Sequence, residues 1–140
     1  MVPMRGDRDA EKARWSKQQQ KPSIPDSQQY PVFCVRHMVR GADFSLEHRS
    51  DEEKAALIDK LRLLSQMTWA EIRSAPRHGL GPEKIDKKQI TFTLPAIVTE
   101  EVSLLAIRFM GKAPTLGFRV GTTFHIIGLD PNFCAYDHGG

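Results

Sequence analysis

Three groups of residues have types and spacing that suit chemistry. The first is Arg108, Arg119 and His125, carried on successive apolar stretches. Two guanidiniums beside an imidazole suit phosphate: the forked donors match phosphodiester oxygens, and the ring exchanges a proton near neutral pH. The alternative is strand arginines facing solvent and a histidine held in a hydrogen bond. The second group lies in Arg77-His78-Gly79-Leu80-Gly81-Pro82-Glu83-Lys84, a polar loop. There His78 and Glu83 could act as acid and base, while the glycines let the backbone approach a ligand. The same stretch also reads as a basic helix C-terminus followed by a turn. The third is Tyr136-Asp137-His138, which could complete a site at a sheet edge or simply fray.

Other chemistries find no pattern. His125, Asp130, Asp137 and His138 share no metal-ligand spacing, and no Cys-x-x-Cys pair exists. Nucleophile-elbow, Walker and dinucleotide motifs are absent from the sequence. Cys34 and Cys134 sit in apolar surroundings, either as buried thiols or as a disulfide between the first and last strands.

The elements that must position these groups follow from the patterning. Residues 1–31 are basic and polar, with prolines at 3, 22, 25 and 31 and Trp15 as their only large aromatic before Tyr30. Such a segment buries too little area to offset its ordering entropy, so a disordered tail is expected ahead of one domain over 32–140. Val32 to Arg40 reads as a strand. Ser50-Asp51-Glu52-Glu53 is a capping box before Leu57, Ile58, Leu61, Leu64 and Met67, which recur at helical spacing. Thr68-Trp69-Ala70-Glu71 is a second box, opening a short helix that Pro76 closes. Gln89 to Leu94 alternates like a strand, and Leu104–Met110, Thr115–Val120 and Thr123–Leu129 form a C-terminal β-meander. This order predicts an α+β fold with two helices on one face of a sheet.

Register decides which of the candidates meet. A two-residue loop after Val120 would set His125 opposite Phe118. A three-residue loop pairs Phe118 with Phe124 and moves His125 to the face of Gly117 and Arg119. The second is the expectation, because it keeps an imidazole away from the best hydrophobe. Closure around Gly111 to Pro114 would pair Arg108 with Gly117 and bring Arg108 to that face as well.

Composition narrows the class without naming an activity. The 140 residues are 40% hydrophobic and 26% charged, with net charge +3. Of that excess, +2 falls in residues 1–31 and +1 in the rest. A balance this mild permits a nucleic-acid partner without requiring one. No apolar run is long enough for a membrane span, and the start lacks the apolar stretch of a secretory signal, so a cytoplasmic protein is expected.

The helix pair ending in Ser74-Ala75-Pro76-Arg77-His78-Gly79 precedes Leu105-Ala106-Ile107-Arg108-Phe109, Leu116-Gly117-Phe118-Arg119-Val120 and Phe124-His125-Ile126-Ile127-Gly128-Leu129-Asp130. This layout resembles the RelE/ParE superfamily of small bacterial toxins, in particular the HigB-like branch and its phage-borne relatives, over about residues 32–136. The resemblance implies two helices packed on a curved antiparallel sheet. It implies an mRNA endoribonuclease, often acting on the ribosome, borne on a mobile element and neutralised by a cognate antitoxin, with no metal or cofactor. The substrate's 2′-hydroxyl would attack the adjacent phosphate and the 5′-oxygen would leave. Arg108 and Arg119 would hold the phosphate; His125 or His78 would transfer protons, with Glu83 nearby. Arg77, Lys84, Lys112, Tyr136 and His138 would contact the RNA. A shorter first helix and the N-terminal tail depart from the family pattern. The competing class is a non-catalytic protein that uses the same sheet face to bind nucleic acid or to inhibit a host protein, as the ParE branch inhibits gyrase.

Overall fold

The computed structural model describes residues 24–41, 43–76 and 81–130. The fold is α+β: two helices and a five-stranded sheet. The chain runs β1 (Val32–Cys34), α1 (Asp51–Ser65), α2 (Trp69–Ser74), β2 (Glu83–Ile85), β3 (Leu104–Met110), β4 (Ala113–Val120) and β5 (Thr123–Leu129). The spatial order of the strands is β1-β5-β4-β3-β2. Strands β2 to β5 are antiparallel neighbours, while β1 lies parallel to β5. The sheet is therefore mixed rather than wholly antiparallel. A parallel pair needs a long crossover, and here the connection carries both helices and the other strands.

Both helices start at the caps expected of them. Ser50 Oγ accepts from the Glu53 N–H at 3.1 Å, and the Glu53 carboxylate accepts from the Ser50 N–H at 2.8 Å. Thr68 and Glu71 repeat the exchange at 3.2 and 3.1 Å. Each box satisfies two N–H groups that a helix start would otherwise leave unpaired. These N–H groups also hold the Glu53 and Glu71 carboxyls below the usual range. Along α1, Leu57 and Leu64 are buried and Leu61 packs beside them, but Ile58 is 63% exposed. The apolar stripe is narrower than its spacing suggested, because Ile58 lies on the outer side of the helix.

The sheet is covered on both faces. On one, Leu57, Leu64, Trp69 and Ile72 of the helices pack against Ile107, Phe109, Phe124, Ile126 and Leu129. On the other, Leu104, Ala106, Leu116, Phe118, Val120 and Ile127 are covered by Ile97, Val102, Phe44, Ile90, Phe92 and Leu94. The expected strand over 89–94 is absent: Lys87–Gln89 is a 3₁₀ turn. The apolar residues that follow spend their burial on covering this second face. The first strand is also short. A turn at Arg36 and His37 interrupts it before the Val39 N–H reaches the Ile127 carbonyl at 2.9 Å.

Residues 24–31 pack on this domain. The Trp69 N–H donates to the Gln29 carbonyl at 2.8 Å, and the Thr122 hydroxyl donates to the Tyr30 carbonyl at 2.5 Å. The rest of the expected tail, residues 1–23, lies outside the described residues. Among the described residues no helix is long and apolar enough to cross a membrane.

Candidate functional site

The meander turns differ from expectation, and that relocates the first candidate group. Gly121-Thr122 is a two-residue turn with Gly121 at φ 60, and Phe118 pairs with His125 while Arg119 pairs with Phe124. Cross-strand partners share a face, so Arg119 and His125 lie on opposite faces of the sheet. The expected three-residue register is wrong for a physical reason. The His125 ring stacks flat on Phe118, with centroids 4.9 Å apart and 14° between planes, and His37 adds a second imidazole at 5.6 Å. An imidazole in that setting packs as an aromatic ring, so the avoided pairing costs little. His125 is only 7% exposed. His37 lines an open cleft with Arg40, Phe92 and Leu94, and His125 is not among the residues lining it.

Arg119 faces the helices. Its Nε donates to the Gly121 carbonyl at 2.8 Å, and its guanidinium lies 4.2 Å above the Trp69 ring. Its two terminal nitrogens donate to the Asp26 carboxylate at 3.0 and 2.6 Å, and one also reaches Gln29 Oε1 at 3.3 Å. Arg73 adds an ion pair to the same carboxylate at 2.7 Å. The Arg119 hydrogen bonds, with the charges of Arg119 and Arg73, hold the Asp26 carboxyl below its ordinary range against the opposing effect of burial.

Arg108 is found elsewhere. It pairs with Pro114, not Gly117, because Gly111 and Lys112 make a tight turn with Gly111 at φ 57. Pro114 and Arg119 are five residues apart on β4, so the two arginines are separated by ~16 Å along the strand at ~3.3 Å per residue. They also lie on opposite faces. The expected convergence of Arg108, Arg119 and His125 does not occur.

A different set gathers at the Arg108 end of the sheet. Glu83 pairs with Ala106, which makes it the diagonal neighbour of Arg108 on the same face. Glu83 and Lys84 belong to edge strand β2 rather than to a loop, because Ile85 next to them is drawn into the core. On the other side, the Asp130 N–H donates to the Pro114 carbonyl at 3.0 Å. Asp130 is fully buried. Its neighbour Leu129 faces the helices, so strand alternation puts Asp130 on the face of Arg108. Arg108 and Pro114 thus share a row that Asp130 extends just past β5, with Glu83 one pair further along on the same face. Sequence patterning considers Asp130 as a metal ligand and finds no supporting spacing. The signal that finds it is its place one residue past the buried Leu129 that ends β5.

One basic side chain flanks this end and others lie along the sheet edge. Lys112 is exposed in the β3–β4 turn at this end, whereas Lys84, exposed on β2, pairs with Leu105 on the helix face and Lys88 lies beyond Ile85, past the Leu104 end of β3. Lys87 donates to the Thr99 carbonyl at 2.6 Å. Burial pushes its pKa down, as does the charge of Lys84, while Glu100 opposes them. Arg77 and His78 lie outside the described residues, between Pro76 and Gly81, whose backbones are hydrogen bonded at 2.9 Å. Tyr136, His138 and Cys134 also lie outside the described residues, beyond Asp130, so any pairing with the half-buried Cys34 does too. Among the described residues no group of three His, Cys, Asp or Glu side chains is placed to hold a metal ion. Compared with known protein families, curated proteins and solved structures, the chain finds no match.

Proposed function

We propose that the chain is an endoribonuclease of the RelE/ParE kind, cleaving mRNA with its reacting groups around Arg108. The observation that carries the reading is the face at one sheet end that Arg108 shares with two carboxylate residues, Glu83 diagonal to it on β2 and Asp130 across Pro114. When a 2′-hydroxyl attacks the adjacent phosphorus, negative charge grows on the equatorial oxygens. A guanidinium held by its neighbours stabilises that charge without reorganising. A carboxylate beside it accepts the 2′-hydroxyl proton, which is the role of Glu83; His78 returns a proton to the departing 5′-oxygen. Asp130, buried in the sheet, orients Arg108. Lys112 at this end and Lys84 on the edge strand meet the RNA backbone as point charges. Tyr136 and His138 follow Asp130 within the next ten residues and contact the RNA. A cytoplasmic site of action, a ribosome-bound substrate and a cognate antitoxin belong to the same reading.

A second reading is favoured by the occupied state of Arg119 and the burial of His125, which remove two residues from the original catalytic set. In it the chain binds a host protein without cleaving RNA. Expression in a bacterium separates the two. Growth arrest with rapid transcript cleavage, lost on Arg108→Ala, is expected for the ribonuclease. Arrest with intact transcripts overturns it in favour of the binding protein.

A further inference from the structure

Arg73 and Arg119 converge on one carboxylate, and the way Arg119 is held has the form of an anion receptor. Its Nε is fixed by the Gly121 carbonyl and its plane by the Trp69 ring, so both terminal nitrogens point the same way. They meet the two Asp26 oxygens at 3.0 and 2.6 Å, the parallel fork that guanidinium makes with carboxylate or phosphate. Arg73 reaches the same group from the helix side at 2.7 Å, and its side chain is 58% exposed. The carboxylate comes from residues 24–31, ahead of the first strand, more than ninety positions away in sequence from Arg119.

We propose that Arg73 and Arg119 form a receptor for a phosphate-type oxyanion and that Asp26 is its built-in occupant. The chain's own carboxylate fills the fork, and an external oxyanion binds by competing with it. Arg73 is the open side through which the competitor enters. This receptor lies on the opposite face and at the opposite end of the sheet from Arg108, so it stands independently of the ribonuclease reading. Residues 24–31 keep their other anchors, at Gln29 and Tyr30, when the carboxylate is displaced.

The test uses the full chain and inorganic phosphate. Melting temperatures are compared in sodium phosphate and in sodium chloride at matched pH and ionic strength, for the native chain, Asp26→Ala, and Asp26→Ala with Arg119→Gln. Asp26→Ala opens the receptor and should gain about 4 °C from phosphate held tenfold above its Kd. The native chain should gain far less at the same concentration, and the double variant nothing specific to phosphate. Equal responses from Asp26→Ala and the native chain overturn the proposal, as does a phosphate gain that survives Arg119→Gln. If Asp26→Ala fails to fold, NMR of the arginine Hε signals in the native chain decides. Saturable movement of the Arg119 and Arg73 signals with phosphate but not chloride supports the receptor, and signals that move alike in both salts overturn it.

Discussion

Replacing Arg119 by alanine should lower stability rather than merely abolish an activity. The side chain makes two charge-assisted hydrogen bonds to Asp26, a third to the Gly121 carbonyl and a ring contact with Trp69. A hydrogen bond to a charged group contributes ~1.5–3 kcal/mol and a partly desolvated cation–π contact ~1 kcal/mol. These do not simply add. Asp26 keeps Arg73, and the Arg119 and Asp26 side chains remain 18% and 17% exposed, so water recovers part of the loss. A net cost of about 2.5 kcal/mol is expected, which lowers Tm by roughly 8 °C for a chain of this size. Urea titration of the native chain, Arg119→Ala, Asp26→Ala and the double variant gives the coupling directly, with about 1–2 kcal/mol expected for the pair. A loss below ~0.5 kcal/mol for Arg119→Ala would refute the clasp.

The other predictions concern features that can be tested separately. A Cβ at Gly117 would stand 2.7 Å from the Phe124 ring and closer still to the His125 carbonyl. Gly117→Ala should therefore cost ~3 kcal/mol or more, read by chemical denaturation. Ser50→Ala removes the α1 cap and should cost ~1 kcal/mol, seen as a lower urea midpoint with unchanged slope. The depressed Asp26 carboxyl stabilises the fold fully at neutral pH. That contribution is lost as pH falls below ~4 through its lower folded value. Asp26→Asn should accordingly flatten the acid limb of the stability curve; an unchanged limb would show that the carboxylate is not linked to folding.

Much of the architecture was legible because local signals agreed with burial. Both capping boxes opened helices where expected, since their reciprocal hydrogen bonds need only four consecutive residues. The strands Leu104–Met110 and Thr123–Leu129 were read from their apolar patterning. What failed depended on partners distant in sequence. The register at Phe118 was misjudged because the environment of His125 is made by His37, some ninety positions away. The stretch 89–94 has strand-like alternation, but the sheet edge beside β3 is taken by Glu83–Ile85 and the later residues become cover. Arg119 was grouped with Arg108 and His125 because nothing in its own strand announces Asp26. For the same reason Asp130 was invisible: its significance comes from Pro114 and Arg108 on neighbouring strands.

The proposed RNA cleavage depends on Arg108 at this end of the sheet. It is read in the end groups of an mRNA incubated with the purified full chain or its Arg108→Ala variant, with and without ribosomes. The native chain should give fragments ending in 2′,3′-cyclic phosphate and 5′-hydroxyl. Arg108→Ala should cleave at least ~100-fold more slowly at an unchanged melting temperature. Native-rate cleavage by Arg108→Ala, or intact RNA with the native chain both with and without ribosomes, would contradict it.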